Sequence, residues 1–162
     1  MKRAHEMPFG CVPLAAGGVR FRLCGPGAAS VSVRLEDAGG VLLAMVRAGG
    51  GWWQLDCAQA VAGSRYRFQI DGGLLVPDPA SRANPDDVHG ASRVVDPLAF
   101  DWNDGHWRGR PWEEAVIYEL HVGTFTPQGT FAGVSGKLDH LRELGVTAVE
   151  LMPIAEFPGR HN

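Results

Sequence analysis

Apolar and polar residues alternate along Val19–Cys24 (VRFRLC), 30–36 (SVSVRLE) and Arg65–Ile70 (RYRFQI). A period of two is the mark of a strand with one buried and one solvated face. Residues 41–46 and Trp52–Cys57 (WWQLDC) add two apolar-rich runs of strand length. Gly25-Pro26-Gly27, Gly39-Gly40, Gly49-Gly50-Gly51 and Asp71-Gly72-Gly73 stand between the runs as turn residues. Short strands punctuated at this spacing predict an all-β sandwich of immunoglobulin-like type, which buries its own core.

The period changes near the C-terminal end. Residues 115–122 are a short apolar run with β-branched and aromatic members, as a strand covered on both faces requires, and 123–129 supplies breakers. Phe131, Val134, Leu138, Leu141 and Leu144 then recur at helical spacing. Thr130 is placed to cap the helix start, and Gly145 to adopt the left-handed conformation that closes its last turn. Residues 146–152 read as a second strand, stopped by Pro153. Strand, helix and strand make a βαβ unit with parallel strands and a right-handed crossover. One such unit cannot bury itself. Between the two regions, 76–111 is rich in Pro, Asp, Asn and Gly, and the three prolines of PDPASRANPDD favour a stiff, extended path. Phe100, Trp102, Trp107 and Trp112 are expected to be packed, being too many large apolar groups for a solvated tether.

The segments IYELHVGTFTPQGTF and LDHLRELGVTAVELMPIAEFPGRHN resemble the opening of the (β/α)8 barrel in α-amylase-type glycoside hydrolases, family thirteen. DGGLLVPDPASRANPDDVHGASRVVDPLAFDWNDGHWRGRPWEEAVIYELH resembles the link between that family's N-terminal sandwich and its barrel. The likeness covers nearly the whole chain. It implies an early-set sandwich related to glycogen-binding modules, followed by the first βαβ unit of an incomplete (β/α)8 barrel. The expected division is a carbohydrate-binding-like module at 8–76, an ordered linker at 77–111 and the start of the barrel at 112–162. Within the family the likeness runs furthest toward members that cleave the α-1,4 bond releasing trehalose from maltooligosyltrehalose. Glycogen branching and debranching enzymes share the module order and stay open as alternatives, as does a non-catalytic glucan-binding or spacer module.

Composition adds exclusions. The 162 residues carry a net charge of -3 and no basic block, which argues against nucleic acid or an anionic membrane as partner. No run approaches the roughly 18 apolar residues of a membrane span, and the first ten residues lack the apolar core of a signal peptide, so a cytoplasmic location is expected. Cys11, Cys24 and Cys57 are odd in number and widely spaced, suggesting neither disulfides nor zinc. The six histidines form no i,i+4 pair, and the glycine clusters lack a phosphate-loop pattern, so neither metal nor cofactor is expected. The expected partner is an α-glucan or maltooligosyltrehalose in the full-length enzyme, with self-association of this chain through the unfinished barrel.

Retaining glycoside hydrolysis needs two carboxyl groups about 5 Å apart, and a barrel presents them at the C-terminal ends of its strands. The resemblance places the family's catalytic carboxylates beyond the fourth, fifth and seventh strands. No catalytic residue is therefore assigned here, and the chain alone is expected to be inactive. Glu119 and Glu150 read as structural or solvent-facing. The loops after the two strands, 121–126 and 152–162, do lie on the reactive face, which makes Pro153, Glu156 and Asn162 candidates for the border of a sugar pocket. On the sandwich, Trp52 and Trp53 are adjacent on one strand, so one points inward and the other outward, where an indole can serve as a sugar platform or as a contact for another domain.

Overall fold

The computed structural model describes residues 9–155, 157 and 158. The chain divides into two compact units, the first running to Trp102 and the second from Asn103 to Ala155.

Among its described residues the first unit has nine strands: β1 (Gly10–Pro13), β2 (Val19–Cys24), β3 (Val31–Leu35), β4 (Val41–Ala44), β5 (Val46–Gly49), β6 (Trp52–Cys57), β7 (Arg65–Ile70), β8 (Leu74–Val76) and β9 (Ser92–Arg93). One antiparallel sheet has the order β1-β2-β6-β5; the other runs β4-β3-β7-β8, with β9 also paired to β7. Alternation supplies the core. Val19, Phe21, Leu23 and Trp53 from one sheet meet Val31, Val33, Leu35, Tyr66 and Phe68 from the other in a single buried cluster. Phe21, Tyr66 and Phe68 form an edge-to-face series with centroids 4.8 and 5.8 Å apart. This is the sandwich expected from the strand pattern.

Two details differ from the reading of the sequence. The run 41–46 is two strands in different sheets, because the chain crosses between them at the buried Met45, whose N–H bonds the Val31 carbonyl at 2.9 Å. Residues 77–94, read as the start of the linker, are hydrogen-bonded into the sandwich. Ser92 and Arg93 pair with Tyr66 and Arg65, and the Val94 N–H reaches the Ser64 carbonyl at 2.9 Å. The pattern missed this because hydrogen bonds and the isolated buried residues Ala91 and Val94, rather than an apolar period, hold the segment.

The second unit contains a parallel pair, β10 (Ile117–Leu120) and β11 (Ala148–Leu151), connected through α1 (Val122–Phe125), α2 (Phe131–Ser135) and α3 (Leu138–Glu143). Thr130 caps α2, its side chain accepting the Gly133 N–H at 3.1 Å. Gly145 has φ +88°, and the Val146 N–H returns to the Leu141 carbonyl at 3.0 Å, closing α3. The helix expected over 131–144 is broken at Gly136-Lys137, where Lys137 leaves helical geometry with φ -109° and ψ 2°. Gly133 is needed for another reason. A Cβ there would stand 2.4 Å from the Thr126 hydroxyl oxygen, so only glycine lets α2 lie this close to the preceding loop. The buried core of this unit is Leu120, Val134 and Leu141, while Ile117, Phe131, Leu138, Leu144 and Ile154 remain exposed.

Phe100, Trp102, Trp107 and Trp112 are all exposed, which corrects their expected burial. Phe100 and Trp102 meet edge to face at 4.7 Å.

Candidate functional site

Parallel strands end on the same edge of their sheet, and the residues leaving β10 and β11 there are His121 and Met152-Pro153. The ladder extends one step past the strands, the Met152 N–H bonding the Leu120 carbonyl at 2.9 Å. His121 opens α1 as its N-cap, without a side-chain capping bond. Among the described residues its Nδ1 and the hydroxyl of Thr126 are buried without a hydrogen-bond partner. Pro153 is exposed at this edge, whereas Glu156 and Asn162 lie outside the described residues.

Glu119 and Glu150 turn out to be direct cross-strand partners. Leu120 packs on Val134 and Leu141, and the Tyr118 ring meets Phe125 at 6.0 Å, so these two face the helices. Alternation then sends Ile117 and Glu119, with Ala148 and Glu150 beside them, to the opposite face. Both carboxylates are exposed. They sit within the strands rather than in the loops beyond them. Sequence spacing could not bring them together, because register depends on where the intervening helices set β11.

At the other end of the same strands, Trp107, Arg110, Pro111, Trp112, Ala115, Ile117, Thr147 and Ala148 line a shallow groove of about 220 Å³. Trp107 and Trp112 are 74% and 77% exposed.

On the first unit, β6 separates the two tryptophans as alternation demands. Trp53 is 5% exposed, with its Nε1–H donating to the Gly25 carbonyl at 3.0 Å and the Arg47 guanidinium 4.5 Å from its ring. It belongs to the core and cannot meet a sugar. Trp52 lies on the outer face, where the Phe9 ring stacks near it at 6.5 Å and 11° and the Arg22 guanidinium sits 4.8 Å from its centroid. Arg22 is itself opposite Gln54, and Arg20 opposite Asp56. The last pair is bidentate at 2.7 and 2.6 Å, and Arg20 holds the Asp56 carboxyl below the usual carboxylate range. A flat sheet face carrying an indole, a phenyl ring, guanidinium groups and an amide can stack a sugar ring and bond its hydroxyls. Phe9 and Arg22 escaped the sequence reading, since Arg22 meets Trp52 across the β2–β6 register and Phe9 reaches it from just before β1, far along the chain.

No group of three or more His, Cys, Asp or Glu able to hold a metal occurs among the described residues, and no described helix is long and apolar enough to cross a membrane.

Residues 8–97 match carbohydrate-binding module 48, the isoamylase N-terminal domain. Over 94% of its length the chain is 45% identical to the malto-oligosyltrehalose trehalohydrolase of Deinococcus radiodurans, spanning 25% of that protein. It is 38% identical to the 1,4-alpha-glucan branching enzyme of Ralstonia nicotianae, covering 87% of this chain and 21% of the relative. In three dimensions it is similar to the crystal structure of a candidate alpha amylase from Salmonella typhimurium, with a TM-score of 0.89 and 47% identity over 96% of this chain and 26% of that one. The chain thus spans about a quarter of the length of the relatives it matches.

Proposed function

Because the chain belongs to the carbohydrate-binding module 48 family, we propose that it is the N-terminal part of an α-amylase-type hydrolase that releases trehalose from maltooligosyltrehalose. The observation that carries this reading is the 45% identity to the Deinococcus enzyme, which runs through both units rather than through the module alone. In this reading β10 and β11 are the first two strands of a (β/α)8 barrel, with their helices outside and the face bearing Glu119 and Glu150 turned to the barrel interior.

The division of labour follows from the geometry of retaining hydrolysis. The reacting carboxyl groups stand at the C-terminal ends of barrel strands. Glu119 and Glu150 sit lower, inside the strands, and are given no catalytic role; the acid/base and the nucleophile come from later strands of the full-length enzyme. This chain contributes the loops at 121–126 and 152–162, with Pro153, Glu156 and Asn162 as candidates for the border of the sugar pocket. Its sandwich contributes a surface on which Trp52 is the candidate for glucan contact. A cytoplasmic setting belongs to the same proposal. The exposed strand edges of the second unit favour self-association of the 162-residue chain.

A branching enzyme is the second reading, supported by the 38% identity to the Ralstonia protein. Assaying the full-length gene product on maltooligosyltrehalose and on amylose separates the two. Free trehalose from the first substrate is the expected result; new branches in amylose with no trehalose would overturn it. The 162-residue chain is expected to release none.

A further inference from the structure

In the second unit, the buried side-chain atoms without a hydrogen-bond partner among the described residues are His121 Nδ1 and Thr126 Oγ1. Both belong to 121–126, the loop that leaves β10. Folded interiors leave few such atoms, so two in one short loop call for a cause. The backbone fixes where the imidazole stands. His121 is extended, with φ -98° and ψ 119°, and the ladder continues beside it through the Met152 N–H bond to the Leu120 carbonyl. Alternation therefore puts His121 on the face of Glu119, away from the helices that Tyr118 and Leu120 meet. Gly123 sets how the half-buried ring lies. A Cβ there would stand 3.0 Å from the imidazole Cε1 and 3.3 Å from Nδ1, so the missing side chain lets that edge of the ring rest against the chain. Nε2 is neither bonded nor enclosed among the described residues. One ring nitrogen is shut in and the other is open.

That asymmetry selects a tautomer. A proton on Nδ1 would make it a buried donor with no acceptor, which folded chains avoid more strictly than an under-satisfied lone pair. The neutral ring therefore carries its proton on Nε2 and presents a single N–H at the carboxyl edge of β10. We propose that His121 is a substrate-binding residue whose Nε2–H donates to a hydroxyl of a bound glucosyl unit; this rests on the function proposed above, in which that edge belongs to the sugar-binding end of a (β/α)8 barrel. A glucan is an uncharged polyol, and each of its hydroxyl oxygens accepts such a donor without a change of charge on either side. The hold on the ring matters as much as its chemistry. Gly123 and the enclosed Nδ1 keep the imidazole in one orientation, so the N–H is aimed before the sugar arrives.

Nitrogen NMR of the full-length enzyme with isotopically labelled histidine tests this, the His121 signals being assigned by their loss in His121→Asn. With the ring neutral, Nδ1 is expected at the position of a bare nitrogen and Nε2 at that of an N–H. Titration with maltotetraose should move the Nε2 signal and leave Nδ1 in place. Steady-state kinetics on maltooligosyltrehalose add a second arm, because a Gln amide reaches near the position of Nε2 and an Asn amide nearer that of Nδ1. His121→Asn should raise KM about 3- to 10-fold with kcat nearly held, and His121→Gln should recover most of the loss. A proton on Nδ1, an Nε2 signal indifferent to maltotetraose, or equal losses in the two variants would each overturn the proposal. If neither variant folds, the wild-type spectra decide it. The spectra need no turnover, so an enzyme that released no trehalose while maltotetraose still moved the Nε2 signal would overturn the proposed reaction and support the role of His121.

Discussion

The two units bury apolar surface with very different completeness. In the sandwich, two sheets turn alternate residues toward each other, and the large side chains Phe21, Tyr66 and Phe68 are fully enclosed. In the second unit the buried apolar residues among those described are Leu120, Val134 and Leu141, while the same helices and strands leave Phe131, Leu138, Leu144 and Ile117 in contact with solvent. The difference lies in architecture rather than in composition, since both stretches carry apolar residues at the correct period. A sheet paired with a second sheet closes its own core. A parallel pair with helices on one face has another face that nothing described in this unit covers.

The sharpest way to break the comparison is to cut one core at a time. Phe68→Ala should cost the sandwich about 3–5 kcal/mol, read as a lower midpoint in denaturant unfolding. Leu141→Ala should leave that transition nearly unchanged. Equal shifts would mean that the two units fold as one and would erase the contrast.

A smaller effect sharpens it within the second unit, where two glycines three residues apart should respond with opposite sign. Gly133→Ala forces a methyl group against the Thr126 hydroxyl and should destabilise the helical region by about 1–3 kcal/mol. Gly136 has an ordinary φ of -66° and only van der Waals contacts around its missing Cβ, so Gly136→Ala should stabilise by about 0.5–1 kcal/mol. Helix content measured by circular dichroism distinguishes them. The smallest effect concerns Glu150→Gln, which relieves like charges placed side by side on β10 and β11. A slight rise in protection of the two strands is expected, and a fall would show that the carboxylates are held by something other than each other.

On the sandwich, Trp52→Ala should weaken the binding of a linear maltooligosaccharide, followed by calorimetry, without lowering the unfolding midpoint by more than a partly exposed ring warrants. Unchanged affinity would remove the glucan role from that face.

Where a regular period governed the structure, the sequence could be read. Val19–Cys24, Trp52–Cys57 and Arg65–Ile70 are strands with those limits, and Thr130 and Gly145 take the capping roles their chemistry suggests. The misses share a cause. Met45 carries the chain from one sheet to the other without interrupting the apolar run, so nothing local marks the division between β4 and β5. Residues 77–94 are held by the pairing of Ser92 and Arg93 with β7, by Asp78 at Tyr66 and by Arg82 at Cys11, partners that lie far along the chain. Arg22 at Trp52, and Glu119 beside Glu150, likewise meet through register, which a one-dimensional pattern does not encode. Alternation did foresee that one of the two adjacent tryptophans would point inward. It could not say which, because that depends on the face of β6 turned toward β3 and β7.

The central claim is that the sandwich is self-sufficient and the parallel βα unit is not. Hydrogen exchange on the 162-residue chain at neutral pH tests it most directly, comparing amides in 130–144 with those in 19–70. The account predicts exchange in the helical stretch faster by orders of magnitude, with the β2, β3, β6 and β7 amides protected to the limit of global unfolding. Equal protection in the two stretches would contradict it.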